Sequence, residues 1–359
     1  MSTLDELLDQ NLATIGSNLI PFHSHHPRST LGDQELISIV NLEEGEIDPR
    51  LKLLSHSSRT TLHKCPRKYQ LYRMNSDKLT GDPDVEITQG VTFAYGTAVG
   101  VGIQSALEGK SYNKVMLDTF LAWDVDLLDN NPRQNKSFWL ALFAVQNFIA
   151  IRDKGILAEY ELVYYQDQPA TELSFQIELP EDYKYRGFVD VVLQHKHSKE
   201  VIVLELKTTS GTAQSATYKN SGQALGYSVV LDILFPSLSS YTVLYLVYEA
   251  KSMRYVELSF KKSLLQRALW LQELLIDTQL ISLYDNYDTY PMHGESCFDF
   301  FRECEYLGLC TLQTNNLTKP LTTAMLNDMQ KDADKYQFTV DFMDLVEAQI
   351  NKGDINSYE

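Results

Sequence analysis

Three things are scarce in this chain of 359 residues. No apolar run approaches the ~20 residues that a membrane-crossing helix needs, so no membrane association is expected. Cations are outnumbered: 31 Lys and Arg against 48 Asp and Glu give a net charge of −17. That balance works against a broad polyanion-binding surface. Cysteine occurs only four times, and the acidic start MSTLDELLDQ has no signal-peptide pattern. A cytoplasmic protein without disulfides is therefore the expectation. What is plentiful points to a packed core: 44% of the residues are hydrophobic and 11% aromatic, which excludes global disorder. No internal repeat is visible.

Residues 1–50 read as a flexible segment. They are polar, with His23, His25 and His26 between Pro21 and Pro27 and an acidic run Glu43-Glu44-Gly45-Glu46. A helix is expected from Ser57, capped by Ser57 or Ser58 and kinked or broken at Pro66. Further helices are expected over 93–107, 112–126 and 136–154, then strands over 160–165, 172–179, 185–193 and 201–207. A crossover helix over 217–234, a strand pair over 241–249 and 253–258, and a long helix over 261–283 complete the core. Residues 321–359 read as an acidic helical tail. Helices, strands, one crossover helix and more strands make an α/β protein, with a mixed central sheet flanked by helices.

The most informative stretch is Gly187-Phe188-Val189-Asp190, followed fifteen residues after the aspartate by Glu205-Leu206-Lys207. Apolar strands on both sides make this a hairpin. Residues two apart on a strand share a face, so Glu205 and Lys207 point the same way. Two carboxylates and a lysine on one side of a buried sheet are costly unless paired or metal-bound, and they suit a divalent cation and activation of a water. Glu172 opens the preceding strand, and Gly187 stands where a side chain could crowd a ligand. Gln223 and Tyr227, four apart, share a face of the next helix. A lone Asp…Glu-x-Lys pattern is weak, being more often a solvated edge or an ion pair.

Together these motifs resemble the PD-(D/E)XK nuclease superfamily and, within it, the RecB-type exonucleases. The resemblance implies a restriction-endonuclease-like fold. It also implies that Asp190, Glu205 and the Leu206 carbonyl bind Mg²⁺ or Mn²⁺, that Lys207 orients or deprotonates the attacking water, and that Gln223 and Tyr227 position the DNA backbone. One departure stands out. That group carries Gly-x-x-x-His in an early helix, whereas Gly96-Thr97-Ala98-Val99-Gly100 has glycine at the histidine position. Gln104 or Glu172 could substitute, or the metal has one protein ligand fewer.

Cys65 lies far from Cys297, Cys304 and Cys310, which follow C-x6-C-x5-C spacing. Clustered cysteines in a cytosolic chain suggest metal ligation, with four ordinary buried cysteines as the alternative. The contexts CPRKY and CEYLGLC resemble AddB-type and CRISPR-associated nucleases, in which four such cysteines hold a [4Fe-4S] cluster. The resemblance thus implies a clasp between the N- and C-terminal segments of a nuclease domain at 51–320, with Zn²⁺ as the competing occupant. Arg59, Lys64, Arg67, Lys68 and Arg73 lie in an acid-free stretch around Cys65, a candidate wall of a DNA channel. The function implied is metal-dependent hydrolysis of DNA, by an exonuclease acting on single strands or ends in replication, recombination or repair. A helicase or recombination protein is the expected partner. The alternative is a catalytically inactive DNA-binding or assembly module that keeps the fold and cluster.

Overall fold

A computed structural model describes residues 42, 45–74, 90–124, 127, 136–238, 240–299, 302–312 and 321–352, all within the unit Ile39–Glu359. Most of the expected flexible segment 1–50, with its three histidines, lies outside the described residues. Its last part, 45–50, is described, and Asp48 and Arg50 there are buried and ion-paired.

The helices that bear on the site are α1 (His56–Lys64), α2 (Pro66–Arg73), α3 (Val91–Leu107), α4 (Tyr112–Leu121), α5 (Phe138–Arg152), α6 (Ser215–Lys219), α7 (Gly222–Val230), α8 (Leu264–Asn286), α9 (Thr323–Ala333) and α10 (Phe342–Asn351). Ser55, not Ser57 or Ser58, caps α1. Its hydroxyl accepts from the Ser58 N–H at 3.2 Å, and the Ser58 hydroxyl accepts from the Ser55 N–H at 2.8 Å, a reciprocal box that satisfies two otherwise orphaned donors. The break comes at Cys65, and Pro66 then opens α2, where its missing N–H costs nothing. The single helix expected over 217–234 is instead two, α6 and α7, because Asn220-Ser221-Gly222 is a run of poor helix formers.

The strands of the main sheet are β1 (Leu53–Leu54), β2 (Tyr160–Leu162), β3 (Thr171–Glu178), β4 (Lys184–His195), β5 (Val201–Thr209), β6 (Tyr241–Glu249), β7 (Arg254–Lys262) and β8 (Phe338–Asp341). Their order is β8-β3-β4-β5-β6-β7, with β1 and β2 also pairing along β4. β8 pairs parallel with β3, and β5 pairs parallel with β6; β3–β4, β4–β5 and β6–β7 are antiparallel. The sheet is mixed and flanked by helices, as expected. The segment after residue 321 contributes to it directly through β8, and α10 packs Phe342 and Leu345 into the core.

Both faces of β5 and β6 are covered, so their sequences read as nearly unbroken apolar runs. One face packs Val203, Val243 and Val247 with Tyr227, Trp270 and Leu274 of α7 and α8. The other packs Leu204, Leu244 and Leu246 with Ala98 and Ile103 of α3 and Phe148 of α5. Among the described residues no helix is long and apolar enough to cross a membrane.

Gly187 does not make room for a ligand. A Cβ there would lie 2.7 and 2.9 Å from the ring of Phe175. Phe175 is wedged among Tyr185, Tyr227 and Phe338 at centroid distances of 6.1, 6.5 and 6.1 Å, so it has nowhere to swing. Gly187→Ala is expected to cost about 1–3 kcal/mol by overpacking, measured as a lower midpoint in urea unfolding with an unchanged slope.

Candidate active site

The ladder between β4 and β5 runs from Gln194↔Val201 to Val191↔Leu204 and stops there. The next residue on β4 is Asp190 and the next on β5 is Glu205, so the two acids stand where the strands part. β5 continues beside β6 through Thr209. The parting frees the Leu206 N–H from any β4 carbonyl, and it donates to Asp190 Oδ2 at 3.0 Å instead.

Glu205 has no exposed surface. The Lys207 ammonium lies 2.6 Å from its Oε1, while Oε2 accepts no hydrogen bond among the described residues. Lys207 also donates to Gln223 Oε1 at 3.2 Å, and Gln223 Nε2 donates to the Tyr227 hydroxyl at 2.5 Å. Glu205, Lys207, Gln223 and Tyr227 thus form one polar chain from β5 to α7, with Asp190 beside it. The fork opens into a cavity of about 580 Å³ lined by Gly96, Gly100 and Gln104 of α3 and by Glu172, Asp190 and Lys207. Gly100 faces open space: a Cβ there meets nothing within 4 Å. Gln104, one turn on, donates to Glu172 Oε1 at 2.8 Å.

Burial first, and the Glu205 charge second, push the Asp190 carboxyl well above the usual carboxylate range. Burial likewise raises Glu205, with Lys207 partly offsetting it. For Lys207, burial pulls downward, but Glu205 and Asp190 outweigh it and the net shift is upward. Burial and the same two carboxylates raise Tyr227, which keeps its hydroxyl a neutral donor. Sequence reasoning overlooked His56, the first residue of α1. Burial, then the charges of Lys207 and Arg59, lower it to about 4, so its imidazole stays neutral within reach of the Lys207 charge. Only its place directly after the Ser55 cap could have flagged it.

The acid-free stretch around Cys65 does not present a free basic strip. Arg59 pairs with Asp277, Lys64 with Asp299 at 2.9 Å and Lys68 with Glu305 at 3.2 Å. Arg67 binds Gln70 and the Leu312 carbonyl, and Arg73 the Arg50 carbonyl. The contacts to Asp299, Glu305 and Leu312 join α1 and α2 to the segment that carries the other cysteines. The Cys304 N–H donates to the Cys297 carbonyl at 2.8 Å, and Cys304 and Cys310 pack against Leu71 and Tyr306. None of the four cysteines is in a disulfide. Burial raises the Cys310 thiol, with the Cys304, Cys65 and Cys297 thiols adding smaller contributions. Among the described residues, no three or more His, Cys, Asp or Glu side chains stand ready-grouped around a metal position.

A carboxylate raised by burial binds its proton more tightly in the folded than in the unfolded chain. Stability therefore falls as pH rises from the ordinary carboxylate range through the raised value. Without added metal, Asp190→Asn is expected to melt a few degrees higher than wild type, roughly, at pH 8. The gap should close as pH drops toward 4, because Asp190 takes up its own proton on the way down. Thermal melts in EDTA at several pH values check this; a variant that melts lower at pH 8 contradicts it.

Curated proteins yield no match. Among solved structures, a Eubacterium rectale protein provisionally described as an exonuclease aligns over 72% of this chain and 92% of its own, at 11% identity and a TM-score of 0.41. SSO0001 aligns over 68% and 95%, at 12% identity and a TM-score of 0.26. Residues 53–311 match the model of the PD-(D/E)XK nuclease superfamily. That span takes in the fork, both carboxylates, Lys207 and all four cysteines, and this chain belongs to the PD-(D/E)XK nuclease superfamily.

Proposed function

We propose that this chain is a metal-dependent deoxyribonuclease, an exonuclease that hydrolyses phosphodiesters at single strands or ends. The observation that carries the reading is the fork itself, where the chain Glu205–Lys207–Gln223–Tyr227 runs beside Asp190, and Asp190 and Lys207 line one cavity. The donor set suits Mg²⁺ or Mn²⁺. Carboxylate and carbonyl oxygens are hard ligands, and Glu205 Oε2 is buried without a donor. Asp190, Glu205 and the Leu206 carbonyl would hold the cation. Once bound, such a cation neutralises charge on phosphoryl oxygens and lowers the pKa of its water.

The protein's own groups divide the remaining work. The Lys207 ammonium, protonated under the pull of two carboxylates, holds a water or a phosphoryl oxygen by charge. It becomes a base only once that carboxylate charge is neutralised. Gln223 and Tyr227 offer uncharged donors to the DNA backbone beside the fork. With a net charge of −17 and the basic stretch engaged internally, the chain has little grip of its own on DNA. That favours work beside a helicase or recombination protein, in replication, recombination or repair, which delivers the strand.

The four cysteines complete the proposal: Cys65, Cys297, Cys304 and Cys310 hold a [4Fe-4S] cluster, with Zn²⁺ as the alternative. Soft thiolates select these metals, and the Cys310 thiol feels Cys304, Cys65 and Cys297. The competing reading, an inactive DNA-binding or assembly module, draws on the glycine at position 100.

Labelled single- and double-stranded DNA with Mg²⁺ or Mn²⁺ should be cut by wild type and not by Asp190→Ala. Lys207→Met is expected to lower kcat by about 10²-fold or more. Absence of cleavage by wild type, or equal cleavage by Asp190→Ala, sinks the nuclease reading and leaves the inactive module. A separate measurement addresses the cysteines: an anaerobic preparation should be brown, with a broad absorbance near ~400 nm and bound iron. A colourless protein with stoichiometric zinc assigns the site to Zn²⁺.

A further inference from the structure

We infer that Glu172 is a third side-chain ligand of the fork's divalent cation, standing in at the place where position 100 is glycine; this rests on the metal-dependent reading above. In the β3–β4 ladder, Thr171 pairs with Val191 and Leu173 with Val189, which sets Glu172 opposite Asp190. On the other side of β4, Val191 pairs with Leu204, which sets Glu205 opposite Asp190 as well. Three acids therefore share one register level across three neighbouring strands, at the point where the β4–β5 ladder stops.

Glu172 lines the same cavity as Asp190 and Gly100, and its charge reaches both Asp190 and Glu205. The independent sign of a ligand is Glu205, fully buried with Oε2 unsatisfied. An unpaired buried carboxylate oxygen is costly unless a cation or donor arrives. Glu172 is exposed, and its partner is the buried Gln104 amide, which donates to Oε1 at 2.8 Å. That contact steadies one oxygen and leaves the other to the cavity. As the side chains stand, the three acids do not close on one point, so Glu172 turns inward on binding. Its backbone φ of 51° is unfavourable for a residue with a Cβ. Gln104 is a positioning residue in this scheme.

Calorimetric titration of the purified full chain with Mn²⁺, without DNA, tests the inference. Glu172→Gln should weaken Mn²⁺ binding by about tenfold or more. Glu172→Gly, which suits the φ of 51°, should lose the same affinity without any fall in melting temperature, so the loss does not come from unfolding. Adding Gly100→His to Glu172→Gln should recover affinity, since position 100 faces open space. If Glu172→Gln binds like wild type while Asp190→Asn does not bind, Glu172 is no ligand and the metal-dependent reading survives. If the double variant recovers nothing, Glu172 does not stand in for position 100. If wild type fails to bind Mn²⁺, or Asp190→Asn binds equally well, both readings fall.

Discussion

A carboxylate without exposed surface, on a strand covered on both faces, sets the terms for everything around it. Glu205 sits on β5 between two hydrophobic layers, where an unpaired charge would be very costly. The Lys207 ammonium, two residues along the same face, is its nearest relief. Parting of β4 from β5 beyond Val191↔Leu204 supplies the rest. It leaves the Leu206 N–H free to hold Asp190 and opens the sheet to a cavity. Burial pushes both acids toward protonation, and the Glu205 charge adds to it at Asp190. The fold thus concentrates unfavourable electrostatics at one point, which is the arrangement expected of a functional site rather than of a structural ion pair.

The remainder of the chain holds that point in place. α7 carries Gln223 and Tyr227 to the fork, and it is itself pinned by Trp270 of α8, against which Gly226 packs too closely for a Cβ. A second buried cluster ties the C-terminal segment to the core. Asp232 takes Arg267, Gln349 and Lys352, the last at 2.8 Å. A third links α1 to α8 through Arg59, His63 and Asp277. The cations near Cys65 belong to the same bracing. Lys64, Arg67 and Lys68 meet acids and a carbonyl of the segment carrying Cys297, Cys304 and Cys310, so a stretch that looks like a polyanion surface in sequence has partners within the chain.

Much of the fold was legible because its local signals are strong. Apolar runs of β-branched residues became β4 to β6, helical periodicity became α3, α5 and α8, and Pro66 marked a real break. The errors share a cause, since each needed knowledge of what lies across the chain. Ser55 rather than Ser57 caps α1 because Ser58 answers it. Gly187 is small because of the Phe175 ring, not a ligand. The segment after residue 321, read as a tail, supplies β8, because a four-residue strand carries too little periodicity to be seen. His56 has no motif at all; burial first, and then the Lys207 charge, set its state.

By itself the sequence determined the chemical inventory of the site. Asp190, Glu205 and Lys207, with Gln223 and Tyr227 four apart on a helix, are set by spacing along strands and helices, which local geometry converts directly into shared faces. Tertiary structure alone decided which groups meet. The stop of the β4–β5 ladder, the row of Glu172, Asp190 and Glu205, the open space at Gly100 and the pairing of the basic stretch all depend on register between distant strands. Register comes from the packing of whole faces, and no short stretch of sequence contains it.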